Sequence, residues 1–290
     1  MSSNESLRLP RLELHSSSGV GQPPLFRFFV KSLRAVLRRL GHFLLLAVLL
    51  AIWEAIAGIW LPTVDRNLVT LMPPPSAVGR AAWELILSGD LAMHLGSSLK
   101  RELTAFCFAL TAIPIGIAMG WWRTVHEQVD PIVELLRPIP PIAWIPLSLL
   151  WFGIGDAQNQ FIIFLGIFFP VLINTIAGVK NIETNMIRAS RSLGASEIFV
   201  LRRVVLPAAL PQILTGVRVG FGFGWMALVA AELVGASSGL GFMINDARSV
   251  LRTDIILVGM LTIGLTGFAI DILVRRLSRW LLPWSLSATK

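Results

Sequence analysis

The chain has 290 residues, of which 54% are hydrophobic and only 14% are charged, and its mean hydropathy is +0.72. This composition excludes an ordinary soluble domain and predicts an integral membrane protein. The formal net charge of +8 would also suit a nucleic-acid-binding protein, so the positions of the cationic residues must decide between the two. The single cysteine, Cys107, lies in an apolar run, which excludes a disulfide framework.

The N-terminal segment precedes any apolar stretch of spanning length. Residues 1–24 are polar and serine-rich, and are predicted to form a disordered cytoplasmic tail. Residues 25–42 combine apolar side chains with five cations at helix-compatible spacing, which predicts a basic amphipathic helix on an anionic membrane surface. Because this segment leads directly into an apolar stretch, a membrane is favoured over nucleic acid as its partner. No secretory signal is expected, since the first apolar run comes too late.

Six apolar stretches follow, each about long enough to cross a bilayer as a helix. They run over residues 43–60, 103–122, 132–152, 161–178, 213–234 and 255–274. The predicted fold class is therefore all-α: a polytopic membrane protein with six transmembrane helices. Most lysines and arginines lie in segments that are cytoplasmic when the N-terminus is inside, so both termini and residues 181–212 are predicted to face the cytoplasm. The basic charge thus reflects topology, and no nucleic-acid partner is expected.

The segment between the first two stretches is polar enough to leave the bilayer. It contains three consecutive prolines, residues 73–75, followed by a pattern that predicts a short amphipathic helix around residues 78–87. This helix either contacts a soluble partner or packs against the membrane helices, and packing is the favoured interpretation. Further along, Lys100 and Arg101 are expected at the outer mouth of the second stretch, where they would suit a small anion or a lipid phosphate.

The third stretch is rich in proline: Pro138, Pro140, Pro141 and Pro146. Four prolines within nine residues cannot all lie in a regular helix, because each removes a backbone donor and most would clash with the preceding turn. Broken backbone at membrane depth persists only where protein or a water-filled cavity satisfies it. The break is predicted either to line a transport pathway or to be a kinked helix buried among its neighbours. The pathway candidates are Arg137, Pro140, Pro141, Trp144 and, from the fifth stretch, Glu232.

Between the fourth and fifth stretches lies a polar loop, residues 181–212. Its pattern predicts a helix over residues 183–193 that stops at Gly194, the residue suited to a left-handed cap. Ser196 is expected to cap a second helix, with Glu197 at its positive end, and Leu206 followed by Pro207 is expected to end that helix.

The first predicted helix of the polar loop has two different faces. One face is small and weakly apolar, and the other carries Arg188 and Arg191. A helix of this kind could enter a cleft on a partner protein. The alternative is a basic loop that only follows the positive-inside tendency.

The fifth stretch carries Gly216, Gly220 and Gly224 at four-residue spacing. Such a stripe lets two helices approach closely, either within the chain or between two copies. Three carboxylates lie toward the ends of apolar stretches, where snorkelling or a structural hydrogen bond is favoured over a functional role: Glu54, Glu232 and Asp271.

Catalytic motifs are absent or accidental. Residues 235–239 match the nucleophile-elbow pattern but follow a predicted membrane helix, and no phosphate-binding loop is present. The four histidines show no metal-ligand spacing. The chain is predicted to be non-catalytic and to bind no cofactor or metal.

The polar loop resembles a known motif. Residues 188–196, RASRSLGAS, followed by Leu206 and Pro207 twelve residues after Gly194, resemble the Glu-Ala-Ala loop of permease subunits of bacterial ABC importers. Arg188 stands where that family most often has glutamate, and Ser190 replaces the second alanine. The resemblance implies that this loop couples to an ATPase, through Arg188, Ala189, Ser190, Gly194, Ala195, Leu206 and Pro207.

The resemblance extends from the first stretch to Trp284, and is greatest to the taurine permeases within the taurine, sulfonate and nitrate branch. It implies a type I importer fold of the MetI-like kind over residues 43–284, with residues 285–290 a cytoplasmic tail, in a bacterial inner membrane. It also implies four kinds of partner: a second copy of the chain, two ATP-binding subunits that hold ATP and magnesium, a periplasmic or surface solute-binding protein, and lipid.

The resemblance further implies alternating access and a small anionic substrate, taurine or another sulfonate. Nitrate, bicarbonate or a pyrimidine precursor are the alternatives, because those branches share the architecture. An ion-coupled carrier and a non-transporting membrane scaffold or enzyme are the competing classes of function.

Overall fold

The computed structural model describes residues 44–64 and 70–281, and these residues form helices and turns without a strand. The predictions for residues 1–24, 25–42 and 285–290 lie outside the described residues. The chain divides into two compact units, Met1–Trp53 and Glu54–Lys290. In the first unit, residues 44–53 are helical.

Within the described residues, five helical segments are long and apolar enough to cross a membrane. They are Leu44–Val64, Asp90–Trp121, Asp156–Lys180, Glu197–Gly235 and Thr253–Leu281. A sixth span arises if Arg123–Leu136 and Pro141–Phe152, which meet at an angle of 82°, are counted together. The predicted all-α membrane fold is therefore confirmed, and the helices are longer than the apolar stretches themselves.

The α-helices that follow residue 70 in the second unit are numbered here in chain order. They are α1 (Pro75–Ser88), α2 (Asp90–Ala109), α3 (Ala112–Trp121), α4 (Arg123–Leu136), α5 (Ile145–Phe152), α6 (Asp156–Lys180), α7 (Thr184–Ser192), α8 (Glu197–Val200), α9 (Leu206–Gly235), α10 (Leu240–Ser249) and α11 (Thr253–Leu281). One end of the bundle is here called the distal end. At this end the Gly155 N–H donates a hydrogen bond to the Gly235 carbonyl, with a nitrogen–oxygen distance of 3.1 Å. The loop end is the opposite one, where α7 and α8 lie.

Helix α6 is the centre of the bundle, and α9 packs along its length. The glycine stripe of α9 makes this close approach possible. A Cβ atom on Gly220 would lie 2.9 Å from the Ile167 carbonyl oxygen, and one on Gly216 would lie 2.5 Å from the Asn174 Cβ. The stripe therefore packs within the chain, which decides between the two predicted arrangements.

The predicted helix near residues 78–87 is α1, which packs against α2 and α11 through buried Val78 and Ala81. Its first turn is held by Glu54, whose carboxylate accepts hydrogen bonds from the Ser76 N–H (3.0 Å) and the Ser76 hydroxyl (2.7 Å). A carboxylate at this position satisfies a free N–H group and complements the positive end of the helix dipole. Of the two roles predicted for Glu54, snorkelling or a structural hydrogen bond, the structure shows the hydrogen bond.

Near the distal end, Arg101 of α2 is buried in a network of hydrogen bonds. Its guanidinium donates to the carboxylates of Asp156 (2.6 Å) and Glu232 (2.7 Å), and to the carbonyl (2.6 Å) and hydroxyl (3.0 Å) of Ser238. Only 3% of Arg101 is exposed. The expectation that Arg101 would be available to a small anion or a lipid phosphate is wrong, because two carboxylates already pair with this cation.

The Glu232 carboxylate in the same network is also saturated. Besides Arg101 it accepts the Ser98 hydroxyl at 2.9 Å and the Gly241 N–H at 2.9 Å. Gly239, at φ +114°, passes so close to this carboxylate that a Cβ atom there would overlap it. Glu232 therefore joins α2, α9 and α10 at the distal end. Its hydrogen bonds are structural, which is one of the roles predicted for it.

Replacement of Gly220 by alanine is predicted to destabilise the α6–α9 contact by about 1–3 kcal/mol, the usual cost of overpacking. The neighbouring Gly222 is the matched control, because a Cβ atom there meets nothing within 4 Å. Thermal unfolding of the purified protein in nanodiscs should show a lower midpoint for Gly220→Ala than for Gly222→Ala. Equal midpoints would contradict the proposed packing.

Replacement of Arg101 by methionine is predicted to cost roughly 3–5 kcal/mol, because it leaves the buried Glu232 carboxylate without its cation. Arg252→Met serves as the control: the Arg252 side chain is 47% exposed and pairs with Asp254, and exposed pairs contribute at most about 1 kcal/mol. The same unfolding measurement should separate the two variants, and the double variant Arg101→Met with Glu232→Leu should recover part of the loss.

Candidate functional site

The polar loop contains a helix that ends in a left-handed glycine, as predicted. Helix α7 is followed by Gly194 at φ +81°, whose N–H donates to the Arg191 carbonyl at 2.9 Å, while the Ala195 N–H donates to the Ser190 carbonyl at 3.2 Å. These two bonds form the Schellman motif, which glycine accommodates without steric cost. The direction in which the chain leaves α7 is therefore fixed by Gly194.

The second helix begins where it was predicted to begin. The Ser196 hydroxyl accepts a hydrogen bond from the Phe199 N–H at 3.4 Å and caps α8. Glu197 lies in the first turn and forms an ion pair with Arg191 of α7, with Nε and Oε1 2.8 Å apart. This exposed pair crosses the Gly194 turn and braces the two helices against each other.

The expected end of the second helix at Leu206 and Pro207 is wrong. Helix α8 continues through a π-helical turn, Leu201–Val205, into α9. The Leu206 N–H donates to the Leu201 carbonyl, five residues earlier, so the winding is wider just before the proline. A widened turn relieves the clash between a proline ring and the preceding carbonyls, so Pro207 can lie in the first turn of α9.

The polar loop exposes a set of apolar side chains, here called the coupling patch: Met186, Leu193, Ile198 and Phe199. Leu193 is the extreme case, since 89% of its surface is exposed. The opposite side of the loop is anchored, because Val200 and Val205 are fully buried. A large exposed apolar patch on a loop that is otherwise polar marks a surface for another protein.

The predicted break in the third span is present. Helix α4 ends at Leu136, and a 3₁₀ turn, Pro141–Trp144, leads into α5. Pro140 has extended backbone (φ −63°, ψ 142°), and Pro141 opens the 3₁₀ turn, so neither needs a backbone donor. The prolines thus direct the chain through its sharp bend.

The break lines a cavity of about 440 Å³ between α6 and α9. Arg137, Pro140 and Pro141 come from the break, Phe169 and Asn174 from α6, and Val219 and Phe223 from α9. Of the five predicted pathway candidates, these three residues of the break share one cavity. Trp144 instead packs against Phe161, with ring centroids 6.3 Å apart, and Glu232 belongs to the distal network.

Sequence reasoning missed three polar residues of the bundle. Asp156 and Ser238 gave no signal beyond being polar residues next to apolar stretches. Glu102 was also missed: it is fully buried on α2, and neither carboxylate oxygen has a hydrogen-bond partner within the described residues.

Residues 76–284 match the family described as "Binding-protein-dependent transport system inner membrane component". The taurine transport system permease protein TauC of Escherichia coli is 44% identical over 245 residues, which cover 82% of this chain and 87% of that protein. The putative aliphatic sulfonates transport permease protein SsuC of Bacillus subtilis is 38% identical over 242 residues, 83% of this chain and 86% of the relative.

A more distant relative is the nitrate import permease protein NrtB of Leptolyngbya laminosa, 32% identical over 219 residues, 72% of this chain and 78% of that protein. Among solved structures, an inward-facing MetNI methionine ABC transporter is similar, with a TM-score of 0.54 and 21% identity over 67% of this chain and 98% of that one. This likeness supports the fold alone. By sequence and fold together, the chain belongs to the inner membrane components of binding-protein-dependent transport systems, as an ABC importer permease of the taurine, sulfonate and nitrate branch.

Proposed function

We propose that this permease carries a small anion, taurine or another sulfonate, into the cytoplasm by alternating access, driven by ATP hydrolysis on a partner subunit. The identity of 44% to a protein named for taurine transport, against 32% to one named for nitrate import, supports sulfonate over nitrate. ATP and magnesium would bind to the partner ATPase, and the chain itself would do no chemistry.

One observation carries the proposal: two short helices meet at Gly194 and expose an apolar patch at one end of the spanning bundle. An ATPase that binds the coupling patch would act on α7 and, through the continuous segment Glu197–Gly235, on the membrane helices. Coupling would involve the predicted residues of the turn, among them Arg188, Ala189 and Ser190. Both Arg188 and Ala189 are exposed, as such contacts require.

The assembly we propose has two copies of this chain, two ATPases at the loop end and a solute-binding protein at the distal end. The loop end would be cytoplasmic, together with both termini, in accordance with the excess of lysine and arginine there. Lys180, Arg188, Arg202 and Arg203 are all exposed at that end.

The test is uptake of radiolabelled taurine into vesicles that contain the permease with its cognate ATPase and solute-binding protein. We expect uptake only with ATP, and competition by ethanesulfonate rather than by nitrate or bicarbonate. Uptake that needs no ATP and collapses with an ionophore would identify an ion-coupled carrier instead. Competition by nitrate alone would indicate that the permease imports nitrate.

Replacement of Gly194 by valine is predicted to lower ATP-dependent uptake about 10-fold or more, because a left-handed β-branched residue is strained and α7 would be redirected. Gly89→Val is the matched control: Gly89 has φ +82°, also ends a helix, and lies at the other end of the molecule. Stimulation of ATP hydrolysis by the solute-binding protein should be lost only in Gly194→Val. Retained coupling in that variant would contradict the role of the turn.

Replacement of Leu193 by aspartate is predicted to abolish co-purification with the ATPase, because it puts a charge on the most exposed residue of the coupling patch. Leu87→Asp is the control, since Leu87 is 70% exposed but belongs to α1. The measurement is the ratio of ATPase to permease after affinity purification in detergent. An unchanged ratio for Leu193→Asp would exclude the coupling patch as the docking surface.

A further inference from the structure

The cavity at the proline break holds a cation with no counter-charge. Arg137 is exposed and lines this cavity. It directly follows α4, and its backbone N–H donates to the Val133 carbonyl at 2.9 Å. Two other arginines of the spanning helices are neutralised: Arg101 by Asp156 and Glu232, and Arg218 by Asp271 at 2.7 Å. The Arg137 guanidinium makes no ion pair or hydrogen bond with any residue in the described ranges 44–64 and 70–281.

The depth of the cavity makes this unpaired charge costly. Its α6 wall, from Leu165 to Asn174, lies 9–18 residues from Asp156 and 6–15 residues from Lys180. At 1.5 Å per residue, that is roughly 14–27 Å from the distal end and 9–23 Å from the loop end. A cation in the middle of a spanning bundle is expensive and marks a functional site or an ion pathway.

The surroundings define the ligand that would suit Arg137. No carboxylate from the described part of the chain lines the cavity. The Asn174 amide is engaged, since its nitrogen donates to the Pro170 carbonyl (2.8 Å) and its oxygen accepts from Gln212 (3.0 Å). The other walls are apolar and include Phe169 and Phe223. A guanidinium offers paired donors to the oxygens of one anionic group, while apolar walls suit a short hydrocarbon body.

We infer that Arg137 binds the anionic group of the substrate during its passage, so that the permease selects for anions independently of the solute-binding protein. This inference rests on the proposed function and adds to it a residue and a selectivity. The volume of about 440 Å³ accommodates a small solute together with water. The same guanidinium chemistry would also suit a lipid phosphate, and the lipid composition of the vesicles in the test distinguishes the two ligands.

The test compares Arg137→Gln with wild type in the taurine uptake assay. Loss of a charge-assisted contact should lower uptake per ATP hydrolysed by about 10-fold or more. Co-purification with the ATPase and the unfolding midpoint should be unchanged, and Arg137→Lys should retain part of the uptake. Arg276→Gln, which removes an equally exposed arginine from α11, is the control and should behave as wild type.

A second variant separates charge from structure. In a Cys107→Ser background, which removes the one native thiol, Arg137→Cys should transport poorly. Modification of that thiol with a cationic methanethiosulfonate should restore uptake, and modification with an anionic one should not. Rescue by both reagents, or by neither, would show that charge is not what Arg137 contributes, and would overturn the inference.

The outcomes for function and for Arg137 are distinct. Wild-type vesicles that take up no sulfonate would overturn the proposed function, and the inference with it. Sulfonate uptake that is equal in wild type and Arg137→Gln would overturn only the inference. A defect of Arg137→Gln that appears in vesicles containing phosphatidylglycerol, but not in pure phosphatidylcholine, would assign the cation to a lipid headgroup and also overturn it.

Discussion

The close approach of α6 and α9 is the constraint on which the rest of the structure depends. The contact extends from Gly178, where a Cβ atom would lie 3.2 Å from the Ala209 carbonyl, to Gly235 beside Gln158. Because these two helices are held backbone to backbone, their ends are held too. At one end the polar loop joins them, at the other their termini share a hydrogen bond, and the cavity lies on the flank between. The glycines at the α6–α9 contact therefore help to position the polar loop, the distal end and the cavity.

Charge is distributed along this frame in two ways. At the distal end the buried Arg101 pairs with the buried Glu232 and the half-exposed Asp156. Such a network holds helices together at the cost of stripping water from its buried members. At the proline break Arg137 has no counter-charge among the residues that the structure describes, and it lines a cavity instead. Glu102 adds a further polar group to the interior: a Cβ atom on Gly224 would lie 2.8 Å from its Oε1, so the glycine provides space for the carboxyl.

Local features could be predicted from sequence, and features made by distant residues could not. The Gly194 turn, the Ser196 cap, the proline break and the glycine stripe each follow from the conformational limits of one residue type. The partners of Arg101 could not be found in this way, because Asp156 and Ser238 lie 55 and 137 positions away. The apparent stop at Leu206 and Pro207 failed for another reason: a wider turn tolerates a proline that an ordinary helix would reject.

The π-helical turn at Leu201–Val205 also sets the angular phase between the polar loop and the fifth span. It holds one more residue than an α-helical turn would, and a residue corresponds to about 100° of rotation. Shortening this segment by a single residue would keep the membrane helix and its glycines in register. It would rotate α7 about the axis of α9, away from the ATPase that we propose it contacts. The orientation of α7 relative to α9 thus depends on one inserted amino acid. The length of this segment is therefore as important as the identity of its residues.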